Sequence, residues 1–574
     1  MNAILPRLPV LLLALGAGAW AAESVPRPPD RIIELPPMTI TDTIDAVPWL
    51  YVSVGDTEFL SRCSREITRE FITTQLEIHH TLRDVIPPEF LATTAIPRVF
   101  LLLPIEHSNI RDDAVLRAMV ADASRPTPRG VIPFDDKHSK PSLFERVLFL
   151  PNQRLEDRDT MAAFTFLKES NFASDRMIVA PDYVRSLLAR RTPMLPQWLI
   201  EGLTLLYQQT IIRAGPAAVV PGNWISPEDT VGLRNSPDNR RVLLSCEELF
   251  AVDALIGPDH QHPTREIVWR LQAALFVRWA LDHANTRGSD VLWKLADRVS
   301  REPMTEKILI EYFGLGYSDL LERLSDYLPN AVKYSAGLSL KPTPDLLLFE
   351  ITPATKFQIA RLRGEWERLE IPFVRAHHPK FLPHYIDRAR LTFRRAIALG
   401  GRDPQFLASF GLCELDAGDI PAALPSLEAA MAAKVFRPRV YFEVARLRMD
   451  ALARHTPKDQ QFSPGQLQPI LEPLHTAIGQ SPPLPEVYIL AMDAWLRCQE
   501  PTPPGELTML VEAAPLFRRH PGFALRLALL QIKNGQRTAA AATLTTGLQF
   551  LGEPSARSRY QQALAGLAAP TATP

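Results

Sequence analysis

The sequence predicts an α+β N-terminal domain, built from a small mixed sheet and a helical subdomain, followed by an all-α array of helix pairs. Short apolar and β-branched runs that are typical of strands occur before residue 181. Between residues 182 and 328 the apolar residues recur mostly at the spacing of amphipathic helices. Beyond residue 365 strand-like runs disappear, and helix pairs repeat with a period of about 34 residues.

The composition is that of a folded protein with several domains. With 574 residues the chain is too long for one hydrophobic core, and about three or four domains are expected. Apolar residues make up 46% and charged residues 22%, as in ordinary globular proteins. The formal net charge of -1 provides no overall field to attract nucleic acid or an anionic membrane, so neither is expected as a partner.

The first residues carry the pattern of a secretory signal peptide. Arg7 precedes an apolar run at residues 8–18, and Ala-Trp-Ala at residues 19–21 is a small-x-small cleavage site. We therefore expect export to a periplasm or the extracellular space after removal of residues 1–21. Residues 22–45 are proline-rich and form a lead-in. No later run reaches about 18 apolar residues, so no transmembrane anchor is expected.

Hydrophobic periodicity sets the elements of the N-terminal domain at residues 46–330. Apolar runs predict strands at 38–41, 49–54, 98–104, 146–150 and 176–180, and helical spacing predicts a long helix at 57–81. Further helices are predicted at 182–190, 197–209, 246–255, 265–283, 289–299, 304–313 and 317–328. Several prolines between residues 329 and 353 favour a linker at residues 331–365.

Small and large apolar residues recur in register in the last third of the chain. One set is Leu407, Phe410, Gly411, Gly418, Ala423, Leu427 and Ala430, and the other is Leu527, Ala528, Gly535, Ala540, Leu544, Gly547 and Pro554. Small residues let two helices approach closely, and Gly418 and Gly535 suit the tight turn between them.

Two less regular helix pairs, 437–453 with 464–479 and 485–498 with 503–517, are predicted between these sets. The pattern resembles the tetratricopeptide (TPR) repeat over residues 366–555, with a flexible tail at 556–574. This resemblance implies a concave surface for a protein or peptide partner.

The most informative segment is LPQWLIEGL, from Leu195 to Leu203. The proline favours a helix start, Trp198 is expected to face inward, Glu201 follows within the first turns, and Gly202 allows a close backbone approach. The segment resembles the P-x-W-L-x-E-G-L pattern of gluzincin-type, peptidase MA-like zinc peptidases. That resemblance extends in shape over residues 45–330, but only this stretch is specific.

In that family an upstream helix carries H-E-x-x-H, and the Glu of W-L-x-E-G is the third zinc ligand. By this resemblance Glu201 matches the third ligand. Pro181 stands at the first His, Asp182 at the general base and Arg185 at the second His. Proline and arginine cannot bind a metal, so neither zinc nor another cofactor is expected. His260 and His262 are the one close non-adjacent His pair, which we interpret as solvated loop residues.

A buried Glu201 would need a cation, so we expect an ion pair with Arg185, joined by Asp182, in place of the metal. Trp198, Glu201 and Tyr207 are the candidate residues of a metal-free cleft. The four cysteines (Cys63, Cys246, Cys413 and Cys498) allow either one disulfide in each half or four buried thiols.

Together these observations favour an exported, non-catalytic pseudopeptidase that binds protein or peptide partners through the cleft and the repeats. The alternative is an active hydrolase, similar to a zinc metallopeptidase, with a non-standard site around Asp182 and Glu201. A third interpretation is a purely structural envelope protein that spaces other components.

Overall fold

The computed structural model describes residues 48–91, 95–104, 149–172, 181–207, 211–213, 218–220, 243–251, 263–284, 290–333, 338–339, 348–457 and 460–568. The predicted signal peptide, the proline-rich lead-in, the strands at 38–41 and 176–180, and the pair His260 and His262 lie outside these residues. The last six residues of the predicted tail also lie outside them. The prediction of a flexible tail is wrong for residues 556–568, because they belong to a helix that buries Ala556 and Tyr560.

A mixed six-stranded sheet forms the centre of the N-terminal part. Its strands are β1 (Leu50–Val54), β2 (Thr57–Ser61), β3 (Arg98–Pro104), β4 (Phe149–Glu156) and β5 (Met161–Leu167), with a two-residue strand at Thr352–Pro353. The order across the sheet is β4, β5, β3, β2, β1 and then the Thr352–Pro353 strand. The neighbours β2–β3 and β3–β5 are parallel, and the other pairs are antiparallel. A second sheet joins the short strands Ile211–Arg213, Ala218–Val220 and Leu338–Ser339.

The helix predicted at residues 57–81 is wrong at its start. β1 and β2 form a hairpin in which Val54 pairs with Thr57 across a two-residue turn. Gly55 takes a φ of 57° in this turn, a conformation that glycine adopts without strain. Helix α1 (Arg65–Val85) begins only after Ser64, whose side chain accepts a hydrogen bond from the Ile67 amide. The Gly-Asp turn was the sequence signal for this hairpin.

Helices cover both faces of the sheet. Phe100 and Leu102 of β3 point to the face that packs against α1, whereas Val99 and Leu101 point to the opposite face. The opposite face packs on helix α9 (Lys356–His377) through residues that include Trp366, whose ring meets Phe164 edge to face at 4.5 Å. β5 lacks a polar alternation because all seven of its residues are buried, and the sequence analysis missed it.

The helical subdomain follows its predicted order. Its helices are α2 (Pro181–Ala189), α3 (Gln197–Tyr207), α4 (Cys246–Leu249), α5 (Pro263–Ala284), α6 (Asp290–Arg301), α7 (Glu306–Phe313) and α8 (Tyr317–Lys333). They share one large core with α1. The helix predicted at 246–255 is shorter than expected, since α4 ends at Leu249.

The segment predicted as a linker at 331–365 contains ordered elements. Thr352 and Pro353 pair with β1, and α9 begins at Lys356 with a capping box from Thr355. The first turns of α9 therefore belong to the layer that covers the sheet. Some apolar residues of α9 contact the sheet, and other apolar residues of α9 contact the next helix. The prolines used to predict the linker do not reveal that α9 belongs to both parts.

The remaining helices form antiparallel neighbours along the chain. They are α10 (Leu382–Ala398), α11 (Pro404–Asp416), α12 (Ile420–Ala432), α13 (Pro438–His455), α14 (Pro464–Ile478), α15 (Pro485–Leu496), α16 (Pro504–Glu512), α17 (Pro521–Lys533), α18 (Arg537–Leu548) and α19 (Pro554–Ala568). Successive pairs such as α11–α12, α13–α14 and α17–α18 pack together. The predicted repeat-like array is thus present.

Turn glycines and buried alanines in the array follow the prediction. Gly418 and Gly535 have φ values of 88° and 76° in the turns after α11 and α17. Ala423 and Ala540 are buried where the helices of a pair cross. Each helix pair buries its apolar faces on its own members and on the adjacent pairs.

All four cysteines lie among the described residues, where each is a buried thiol and no two form a disulfide. Within the described part of the chain, no helix combines the length and apolar character needed to cross a bilayer.

Candidate functional site

The sequence-predicted site lies where α2 and α3 pack together against α5. Pro181 is the first residue of α2, a position where proline costs no helix hydrogen bond. Arg185 follows one turn later, and Glu201 lies in the second turn of α3. The side chains of Pro181 and Asp182 lie outside the described atoms, so the expected contact of Asp182 with this pair stays a prediction.

Arg185 and Glu201 form the expected ion pair. Nε of Arg185 donates to Oε1 of Glu201 at 2.9 Å, and Nη2 donates to Oε2 at 2.9 Å. This is the bidentate geometry that makes a guanidinium–carboxylate pair strong. The Glu201 side chain is only 8% exposed, so its charge needs such a partner.

A second guanidinium that the sequence analysis missed lies beside Glu201. Nε of Arg270 on α5 is 3.7 Å from Oε2 of Glu201, and its Nη2 is 2.8 Å from Glu266 one turn earlier. The Glu266–Arg270 spacing of four residues was visible in the sequence. Its proximity to Glu201 depends on how α5 packs against α3. Two cations therefore surround the carboxylate that the resemblance assigns to a metal.

Trp198 and Tyr207 lie in the core of the helical subdomain. The Trp198 side chain packs edge to face against Phe250 and Phe276, with ring centroids 5.1 and 5.5 Å away. Trp198 is 2% and Tyr207 6% exposed. Burial raises the pKa of Tyr207 to about 12, so its phenol stays neutral at physiological pH. Their contribution to a ligand cleft stays a prediction, and in this structure both rings stabilise the packing around α3.

Gly202 lies where α3 and α5 approach most closely. A Cβ atom at this position would lie 2.8 Å from the carbonyl oxygen of Ala273 and 2.8 Å from a methyl group of Val277. The predicted close backbone approach is confirmed.

The turn between β4 and β5 reaches into the helical array through two buried aspartates. Oδ2 of Asp159 accepts a hydrogen bond from the Arg439 amide at 2.9 Å, and Oδ1 is 3.4 Å from Nε of Arg437. Oδ2 of Asp157 is 2.6 Å from Nη2 of Arg368. A loop of the N-terminal part is thus bonded to α9 and to the start of α13.

The array side of this contact is an ionic hub. We define the hub by Asp157, Asp159, Glu365, Arg368, Asp416, Arg437 and Arg439. Arg368 and Arg437 are fully buried, and both donate to Glu365, at 2.7 and 3.0 Å. Asp416 on α11 accepts from Arg368 at 3.1 Å and from Arg439 at 2.7 Å. The hub therefore fixes the β4–β5 turn against helices α9, α11 and α13.

Charge pairing controls the protonation of the hub. Burial alone would raise the pKa of Glu365, but Arg368 and Arg437 outweigh it and lower this pKa to about 2. The pKa of Asp157 is likewise held well below its ordinary value, because three arginines outweigh the effect of burial. The pKa of Asp159 is raised, since burial and the neighbouring Asp157 outweigh Arg437.

Acid is expected to weaken the hub. Because the folded-state pKa of Glu365 lies below its usual 4.5, its contribution to stability is present above about pH 4.5 and is lost as pH falls towards 2. The raised pKa of Asp159 has the opposite effect: protonation of Asp159 at low pH favours the folded protein and offsets part of this loss. The free energy of unfolding attributable to Glu365 should fall by about 2 kcal/mol between pH 6 and pH 3.

Denaturant unfolding of wild type and Glu365→Gln at both pH values measures this effect, and the variant should show the smaller pH dependence. The exposed Glu512→Gln change is the matched control. If the free energy of unfolding depends on pH equally in wild type and Glu365→Gln, Glu365 is not ionised in the folded protein.

An open cleft of about 570 Å³ lies next to the hub, between the β4–β5 turn, the end of α2 and the array helices from α13 to α17. Six arginines and five acidic residues line it, together with a proline-rich segment before α15. Met194 is 41% exposed at this cleft. We call this space the interdomain cleft.

Comparison with solved structures finds similar chains. No family model matches the chain, and no curated protein matches it. A crystal structure of a thermophilic TPR protein from Thermus thermophilus is similar at 19% identity, covering 35% of this chain and 99% of that chain, with a TM-score of 0.24. The repeat-like character of the array rests on its own helix pairs and turn glycines.

Proposed function

We propose that this protein is an exported, non-catalytic binding protein: a pseudopeptidase whose metal-free N-terminal domain and helical array together hold a peptide or protein partner. Its export rests on the signal-peptide pattern of residues 1–21. The peptidase-like ancestry rests on the W-L-x-E-G-L pattern around Glu201. Both stay proposals, and the Arg185–Glu201 pair is the observation that carries the non-catalytic part.

The reason lies in the chemistry of that pair. Both carboxylate oxygens of Glu201 accept hydrogen bonds from Arg185, at 2.9 Å each. A guanidinium stays protonated and has no lone pair to offer, so it cannot serve as a metal ligand. A divalent cation beside Glu201 would also have to approach Arg185 and Arg270, both positively charged. Among the described residues, no three His, Cys, Asp or Glu side chains are grouped to hold a metal ion.

The binding part of the proposal depends on the interdomain cleft. The face of α9, α11 and α13 next to the hub is occupied by the chain's own β4–β5 turn. A partner at that face would have to break buried ion pairs, which is costly. The adjoining cleft is open, and it combines charged groups of both signs with the partly exposed Met194. Such a lining suits the polar backbone of an extended peptide, with an apolar side chain as an anchor.

Selection from a library of about ten-residue peptides on the full chain tests this function. Selected peptides should bind Met194→Arg at least about tenfold more weakly, because the added charge blocks the apolar anchor. Ile310→Arg is the matched control, since Ile310 is also an exposed apolar residue but lies outside the cleft, on α7. Mass spectrometry after incubation should show the bound peptides intact.

Two results would contradict the proposal. Peptides that bind Met194→Arg as tightly as wild type would show that the cleft is not the binding surface. Cleavage of the selected peptides, lost on addition of a chelator, would instead support the alternative function, a zinc hydrolase with a non-standard site around Asp182 and Glu201.

A further inference from the structure

A pocket separate from the interdomain cleft lies in the N-terminal part. It is bounded by α1, the β1–β2 turn, the starts of β3 and β5, and α2. Its volume is about 250 Å³. Since a cavity of about 150 Å³ accommodates benzene, this space fits a molecule of about ten non-hydrogen atoms. We call it the α1 cavity.

Most of the cavity wall is apolar. The residues that form this wall are Val54, Phe59, Leu76, Val99, Phe100 and Met161. Phe59 and Phe100 pack together with ring centroids 5.3 Å apart. An apolar ligand body would gain from burial against these side chains.

Two polar side chains of the cavity lining can donate hydrogen bonds to a ligand. Gln75 on α1 is only 8% exposed, and it lines the cavity. Arg98 is also largely buried, and its Nε has no partner among the described residues. A buried donor without a partner is costly, typically about 1–3 kcal/mol. Such a donor beside a cavity indicates that a group absent from the protein alone accepts its hydrogen bond.

The charge around the cavity favours an anion. Arg83 and Arg98 line it, and Asp56 is the one acidic residue among the described lining. Asp56 is bound to Arg98 at 2.5 Å, but its side chain is 63% exposed and uses only Nη2 of the guanidinium. The Nε edge of Arg98 therefore remains available to a second acceptor.

Two further polar groups line the cavity beside Arg98. The Tyr183 hydroxyl on α2 lies 2.7 Å from Nδ1 of His79 on α1, and it also interacts with Arg98. This contact joins the two helices that flank the cavity and holds the phenol in position.

We propose that the α1 cavity binds a small carboxylic acid with an apolar body, its carboxylate accepting hydrogen bonds from Arg98 and Gln75. A carboxylate is an acceptor only, and it matches the unpaired Nε donor of Arg98 and the amide donor of Gln75. The apolar body lies against Phe59, Leu76 and Phe100. This ligand is unrelated to the peptide of the interdomain cleft, and the two sites have no lining residue in common.

Three probes of similar size and different charge test the ligand class on the full chain. Phenylacetate, phenylacetamide and 2-phenylethylamine can be compared by calorimetry. Phenylacetate should bind at least about tenfold more tightly than the amide, and the amine most weakly, because a charge-assisted hydrogen bond to Arg98 forms only with the acid. Equal affinities for acid and amide, or no binding of phenylacetate at millimolar concentration, would overturn the proposal.

Substitutions in the cavity test its location. Asp56→Asn should tighten phenylacetate binding about threefold or more, because the competing carboxylate is removed from Arg98. Gln75→Leu should weaken binding about fivefold, because the carboxylate loses one of its two donors. Gln536→Leu, an exposed change in the array, is the matched control.

Arg98→Met should weaken phenylacetate binding at least about tenfold. If that variant fails to fold, the phenylacetate affinities of Asp56→Asn and Gln75→Leu test the location of the site. Unchanged affinity in both Asp56→Asn and Gln75→Leu would show that phenylacetate binds elsewhere and would overturn the assignment.

Discussion

Replacing Arg368 by Met is expected to lower the free energy of unfolding by about 3–5 kcal/mol. Arg368 is fully buried on α9 and contacts Asp157, Glu365 and Asp416 at 2.6, 2.7 and 3.1 Å. Removing the guanidinium leaves carboxylates in the hub without their central cation, and the cost of a buried unpaired charge exceeds the value of the pair itself. The change also removes a bond between the β4–β5 turn and the array.

Denaturant unfolding and hydrogen exchange measure this effect together. In Arg368→Met, amides of the β4–β5 turn and of α13 should exchange faster, since both are fixed by the hub. Arg298→Met is the matched control, because Arg298 on α6 and its ion-pair partner Glu302 are both 42% exposed. That control should leave the free energy of unfolding almost unchanged. A similar small change in Arg368→Met would show that the hub contributes little to stability.

Replacing Gly202 by Ala is expected to destabilise the protein by about 2–3 kcal/mol. The added Cβ would lie 2.8 Å from a backbone oxygen of α5, well inside normal contact distance. A backbone atom cannot rotate away as a side chain can, so α3 and α5 would have to separate. Since Glu201 is the preceding residue, separation would also disturb its pairing with Arg185 and Arg270.

Gly566→Ala provides the comparison for this substitution. Gly566 also lies in a helix, α19, but a Cβ there would meet no atom within 4 Å. Alanine has the higher helix propensity, so this control should be neutral or stabilising by up to about 1 kcal/mol. The melting temperatures of Gly202→Ala and Gly566→Ala, compared with wild type, separate the cost of steric overlap from the gain in helix propensity. A Gly202→Ala variant as stable as wild type would show that α3 and α5 accommodate the methyl group.

The sequence predicted those helix starts and turns that depend on the backbone preferences of single residues. Pro181 and Pro196 mark helix starts, and Gly418 and Gly535 mark tight turns, because each residue type restricts or extends the backbone in a known way. The Arg185–Glu201 pair was also predictable. Both residues were placed by one motif, and a buried carboxylate requires a cation.

The missed features depend on contacts between distant segments. α9 covers the sheet through Leu362, Trp366 and Leu369, yet its sequence pattern is that of any amphipathic helix. The hub joins Asp157 and Asp159 to arginines more than 200 positions later, and nothing in the local sequence couples them. Arg270 reaches Glu201 only because α5 packs on α3.

We propose that Glu201 occupies a former metal-ligand position now held by Arg185, and the zinc content of the purified protein tests this proposal. Wild-type protein purified without a chelator should hold less than about 0.1 zinc per chain. The triple variant Pro181→His, Asp182→Glu, Arg185→His restores the H-E-x-x-H pattern and should hold about one zinc. Adding Glu201→Gln should remove that zinc. Near-stoichiometric zinc in wild type that a chelator removes, or a triple variant that holds no more zinc than wild type, would contradict the claim.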